Sequence, residues 1–160
     1  MNEKQLLDKK CILVDMNTAE ISTKEKPIIG TWALATCIGV LLYSEEKRVA
    51  IVAHVAPDSM QAINKIFEII IKNKLLKTSF KYKIVPGYYV EHYNTKELIE
   101  KHLTHFVPFN DDEIPDHGIQ TNEQLTSRQF AFDSSTGKFV TDKIFNTENF
   151  IDESSNVKHM

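Results

Sequence analysis

Thr31-Trp-Ala-Leu-Ala-Thr-Cys37-Ile-Gly-Val-Leu-Leu-Tyr43, then Ser44-Glu-Glu-Lys47, then Arg48-Val-Ala-Ile-Val-Ala-His54-Val55, is the stretch that decides how this chain folds. Two apolar runs flank a short polar segment, so they read as two strands joined by a tight turn. A turn centred between Glu45 and Glu46 places Cys37 directly opposite His54, and opposed side chains have Cβ atoms about 4.5 to 5.5 Å apart. A thiol beside an imidazole on a rigid scaffold is the minimum arrangement for an activated cysteine nucleophile. A bulge or a three-residue loop breaks this register. A plainer reading stands beside it: buried cysteine is often inert packing, and a histidine in an apolar strand is often a satisfied core residue.

Working outward, Pro57-Asp58-Ser59 stops the second strand and offers a helix cap. Met60, Ile63, Ile66, Phe67, Ile70, Ile71 and Leu75 then recur at helical spacing. Phe80 to Val85 alternates as a strand and ends at the turn signal Pro86-Gly87. Asn94 followed by Glu97 is a capping-box pattern, and Leu98, Ile99, Leu103 and Phe106 predict a second, shorter helix. Phe109 to Gly118 reads as an acidic surface loop, and Arg128 to Phe132 with Lys138 to Thr141 as a hairpin turned by Ser135-Thr136-Gly137. Residues 1 to 30 read as one strand and a connecting loop. Periodicity alone predicts mixed α and β structure; length predicts a single domain, drawn over 1–150, and polarity a frayed tail at 151–160.

Composition narrows the function classes. The 160 residues suffice for one core, and 42% hydrophobic with 26% charged residues is a globular balance. A formal net charge of -3 removes the bulk attraction to phosphate on which nucleic-acid binders rely. Two cysteines make no disulfide framework and no signal-peptide pattern opens the chain, which predicts a reducing, cytoplasmic setting. The apolar runs are too short for a membrane span.

Other residues refine the chemistry. Ala33, Ala35, Thr36 and Gly39 keep the backbone around Cys37 uncrowded, so that N–H groups can face a developing oxyanion. Thr31 lies six residues before Cys37, at even strand spacing, and is placed to hold the second nitrogen of His54. His102 and His105 sit three apart on the second helix, but no further ligand completes a metal set; neither metal nor organic cofactor is expected. His117 reads as a surface-loop histidine, Cys11 as structural, and Lys72, Lys74 and Lys77 as a solvated helix end.

These residues resemble the CheD family, the chemoreceptor glutamine deamidases. The family pattern is a Thr, six residues to a Cys, then seventeen to a His before a Pro; it is met by Thr31, Leu34-Ala35-Thr36-Cys37 and His54-Val-Ala-Pro57. Asp116-His-Gly118, Arg128, Phe132-Asp133 and Thr136-Gly137-Lys138 resemble the family's later signals, so the likeness runs from Thr31 to Val140. The chain departs from it at Ala35-Thr36, where Gly-Ser is usual, at Ala50 to Ala53, where glycines are common, and at Pro86-Gly87 in place of Gly-Gly. The resemblance implies an α+β fold of stacked mixed β-sheets with outer helices. It implies Cys37, His54 and Thr31 as catalytic residues that hydrolyse glutamine side-chain amides to glutamate and ammonia. The implied substrates are the cytoplasmic helices of methyl-accepting chemotaxis receptors, with a CheC-type phosphatase as a further partner. Two alternatives stay open: a secreted, toxin-like deamidase of host protein glutamines, and a non-catalytic binding protein of the same fold.

Overall fold

The apolar run from Thr31 to Tyr43 is not one strand. In the computed structural model, which describes residues 11–90, 101, 109–115, 118–141 and 150–152, it breaks at residues 35–37 and its two halves enter different sheets. The element order is β1 (Cys11–Leu13), β2 (Thr18–Ile21), β3 (Ile28–Leu34), β4 (Ile38–Ser44), β5 (Val49–Val55), α1 (Gln61–Lys72), β6 (Phe80–Pro86), β7 (Phe109–Glu113), β8 (Gln120–Asn122), β9 (Arg128–Asp133), β10 (Lys138–Phe139) and β11 (Phe150–Asp152). The first sheet runs β1-β3-β9-β8-β11 with β10 on β9, and the second runs β2-β5-β4-β6-β7. Each contains one parallel pair, β1 with β3 and β6 with β7, so both are mixed. Among the described residues the architecture is therefore mixed α+β: two mixed sheets and one helix.

The layers follow from side-chain alternation. Val40 and Leu42 of β4 and Ile51, Ala53 and Val55 of β5 pack with Ile63, Ile66 and Ile70 of α1. Leu41, Tyr43, Ala50 and Val52 point the other way, onto Ile29, Leu34, Phe130 and Phe132 of the first sheet. Strands β4 and β5 are thus covered on both faces, which is why they read as continuous apolar runs rather than as alternating ones. Each large side chain so buried contributes about 1.5 to 3 kcal/mol of transfer free energy. Gly39 lets the sheets approach closely, since a Cβ there would lie 2.8 Å from the Phe130 ring.

Several expectations change. Turn chemistry shifts the first hairpin by two residues: Ser44 pairs with Val49, and Gly39, not Cys37, stands opposite His54. Ser44 Oγ accepts the Lys47 N–H (3.1 Å) and Arg48 adopts a left-handed φ of 54°, closing a loop over residues 45–48. A slip of two preserves the face, so Cys37 and His54 still point to the same side. The early segment holds a second strand, β2, whose Thr18 pairs with His54. The acidic stretch expected as a loop begins with β7, paired to the Phe80–Tyr82 end of β6. Helix α1 stops at Lys72, short of Leu75, and its N-cap is Met60, while Ser59 of the expected capping segment accepts the Gln61 N–H through Oγ (3.3 Å). The β9–β10 hairpin forms as expected. Strand β11 carries the chain across the boundary drawn at residue 150; of the expected second helix only Lys101 is described, and it is helical, while His102, His105 and His117 fall outside the described residues.

Candidate active site

The break between the sheets makes the site. Strand β3 bulges between Thr31 and Leu34, and Ala33 takes φ 58°, a left-handed conformation costing a Cβ-bearing residue about 1 to 2 kcal/mol. Strain of this kind gathers at functional sites, and here it turns the chain out of the first sheet just before Cys37. The crossover is then clamped from one side: Gly87 N–H donates to the Cys37 carbonyl (2.8 Å), Tyr88 N–H to Leu34 (3.0 Å) and Tyr89 N–H to Ala35 (2.9 Å). Arg128 Nη1 donates to the Pro86 carbonyl (3.0 Å) and its guanidinium lies 5.6 Å from the Tyr88 ring centre. Tyr88 is therefore part of the scaffold behind the crossover. No hydrogen bond among the described residues uses the N–H of Thr36 or Cys37.

Gly87 is required by this contact. A methyl group there would fall 2.5 Å from the Cys37 carbonyl oxygen and closer still to that of Ala35. Because the obstacle is backbone, Gly87→Ala is expected to cost about 1 to 3 kcal/mol and to displace residues 35–37. Thermal denaturation and Cys37 alkylation rates check this; an unchanged midpoint with an unchanged rate would contradict it.

The three sequence-predicted residues converge across the sheet interface. Thr31 continues the inward face of β3 set by Ile29, and His54 continues the inward face of β5 set by Val52, so they meet between the sheets. Thr31 Oγ1 lies 2.7 Å from His54 Nδ1 and 2.8 Å from the Val14 carbonyl oxygen. The carbonyl only accepts, so the single hydroxyl proton goes to Val14 and Thr31 Oγ1 accepts from His54 Nδ1–H. That fixes the neutral tautomer and leaves the Nε2 lone pair for other work. Nε2 is buried and has no hydrogen-bond partner among the described residues. His54 and Cys37 line one cavity of about 280 Å³, with Asp15, Trp32 and Thr36 also in its wall. A larger polar hollow of about 600 Å³ beside Asn17, Gln61 and Asn64 holds neither thiol nor imidazole.

Burial sets the charge state of the pair. It pushes the Cys37 thiol up from its ordinary value, opposed by a hydrogen bond from the Thr36 side chain. It pushes the His54 imidazole down, opposed by the Asp15 carboxylate. Both shifts favour a neutral thiol and a neutral base over a preformed thiolate–imidazolium. Sequence reasoning missed the Val14 carbonyl and Asp15, because a backbone acceptor has no residue signature and an aspartate in a charged segment looks ordinary. No His, Cys, Asp and Glu cluster suited to a metal occurs among the described residues, and no helix there is long and apolar enough to cross a membrane. Cys11 sits apart, packed against Ala131 with Leu13, Ile28 and Val140. Neither a scan of protein-family models nor a search of curated proteins gives a match to this chain.

Proposed function

We propose that this chain is a cysteine-dependent protein-glutamine deamidase of the CheD type, a cytoplasmic single-domain enzyme acting on chemotaxis-receptor helices. The observation that carries the reading is the oriented imidazole: Thr31 holds Nδ1–H and leaves the Nε2 lone pair free, and His54 lines the same cavity as Cys37. Nε2 takes the thiol proton as sulfur bonds to the glutamine carboxamide carbon, and the Thr36 and Cys37 N–H groups, unpaired among the described residues, are the donors for the oxyanion. The C–N bond breaks as His54 returns the proton to the departing ammonia. Water, activated by the same Nε2, then cleaves the thioester to glutamate and regenerates the thiol.

Ammonia release from a folded receptor bundle, a host-protein extract and free glutamine separates the readings. Turnover of the bundle, with little from free glutamine, is expected, because remote contacts on a folded surface offset the entropy of positioning. Efficient turnover of free glutamine would make the protein a small-molecule amidohydrolase. No turnover of any substrate would leave a binding protein.

The pH profile follows from the two shifts. Activity requires neutral His54, so its acid limb should lie below the ordinary histidine value of 6.5, and the neutral plateau should extend past the ordinary thiol value of 9.0. Stability moves with the same groups. Below pH 6.5 the unfolded chain protonates its histidine before the folded one does, so stability falls with acid; above 9.0 the unfolded thiol ionises first, so stability falls with base. Asp15→Asn removes the charge that favours imidazolium, and should move the acid limb of activity further down. An unmoved or raised acid limb would contradict the assignment of that limb to His54.

A further inference from the structure

We infer that a second, apolar cavity on the far side of Thr36 from the thiol binds an aliphatic side chain beside the target glutamine and so sets substrate choice; this rests on the deamidase reading above. The cavity, about 370 Å³, is walled by Ile38, Val55, Pro57, Tyr89 and Val90. That lies within the roughly 300 to 1,000 Å³ range of ligand pockets. Thr36 belongs to its wall and to that of the Cys37–His54 cavity, so one residue separates the two.

The two cavities are built by the same elements. Ile38 and Val55 form the last opposed pair of the β4–β5 ladder, one residue beyond the Gly39–His54 pair, and Cys37 is the next residue after Ile38 on the way out of that ladder. Tyr89, 54% exposed, is tied to the nucleophile loop by its bond to the Ala35 carbonyl. The thiol cavity is itself walled by Met16 (65% exposed) and Trp32 (38% exposed). Exposed apolar side chains thus wall both cavities that meet at Thr36, a surface strip beside the thiol that a lone carboxamide would leave uncovered. A helix laid along this strip presents side chains three or four residues apart, about 5 to 6 Å between Cβ atoms, so a glutamine over Cys37 brings its neighbour over Thr36. Exposed Asp58 in the second cavity's wall disfavours an acidic neighbour by like charge.

The test uses a designed helical hairpin carrying one exposed glutamine, with leucine, serine or aspartate three or four residues to either side. Wild-type protein should deamidate the leucine version best and the aspartate version worst, with leucine favoured over serine about tenfold or more in kcat/KM, carried by KM. Val90→Phe, which fills the cavity, and Tyr89→Ser, which opens its wall, should each narrow that ratio to within about threefold while circular dichroism stays native. Binding of the same hairpins to Cys37→Ala, read by fluorescence anisotropy, should follow the same order. Turnover without discrimination would overturn the subsite and leave the deamidase reading standing. Ordered binding without any turnover would do the reverse.

Discussion

Cys37→Ala is expected to abolish ammonia release from glutamine, a loss of about 10⁴-fold or more, while the protein stays folded. Among the described residues that line this cavity with His54, Cys37 carries the one thiol, and the Thr36 hydroxyl and Asp15 carboxylate are much weaker nucleophiles that do not replace it. Cys37 is buried against Leu34, Leu41 and Val85 in the core between the sheets, yet the change removes a single sulfur, and the expected stability cost is about 1 kcal/mol. Cys11→Ala should keep full activity, because Cys11 packs in a separate cluster with Ala131. Ammonia assays and thermal denaturation of both variants check this pair of outcomes. Equal loss in both, or activity retained by Cys37→Ala, would refute the assignment of the nucleophile.

Thr31→Val should lower kcat by about 10² to 10⁴-fold with a smaller effect on KM. The hydroxyl has two partners and both are stranded by the change. The Val14 carbonyl loses its donor, and His54 Nδ1–H loses the acceptor that fixes tautomer and ring orientation. Thr31 is fully buried, so the unpaired groups cannot turn to solvent, and stability should fall by about 1 to 3 kcal/mol. Stability loss alone would leave kcat measurable well below the melting temperature, which separates positioning from folding. Thr31→Ser keeps the oxygen and should recover most of the turnover, and Cys37 in Thr31→Val should still be alkylated. Full activity in Thr31→Val with an unaltered pH profile would show that something else orients the ring.

The sequence made some of this legible and concealed the rest for physical reasons. The runs in β4 and β5 announce strands because both faces of the second sheet are covered, one by α1 and the other by the first sheet. The break between β3 and β4 was hidden, because it depends on a left-handed φ at Ala33, and alanine does not advertise one. Thr31 and His54 were matched for a reason that the structure replaces. The expected route was alternation along one strand that also carried Cys37; the observed route is contact between strands of two stacked sheets. The face shared by Cys37 and His54 survived the misplaced register because the shift was an even number of residues. Pro86-Gly87 was readable as a turn, but not as the backbone clamp on residues 34–37, since bonds between main-chain groups leave no side-chain pattern. The acidic stretch from Phe109 was readable as polar surface, but not as a strand at its start, where β7 pairs with the end of β6 remote from Pro86.

The central claim is that Cys37, served by His54, converts a protein glutamine to glutamate. Intact-mass measurement of a folded receptor cytoplasmic fragment, before and after incubation, tests it most directly, because hydrolysis replaces NH₂ by OH and adds about one dalton per site whatever the fold of the enzyme. With wild-type protein the fragment should gain mass in single-dalton steps, each matched by one released ammonia, and with Cys37→Ala it should not change. An unchanged mass with folded wild-type protein, or the same gain with Cys37→Ala, would contradict the account.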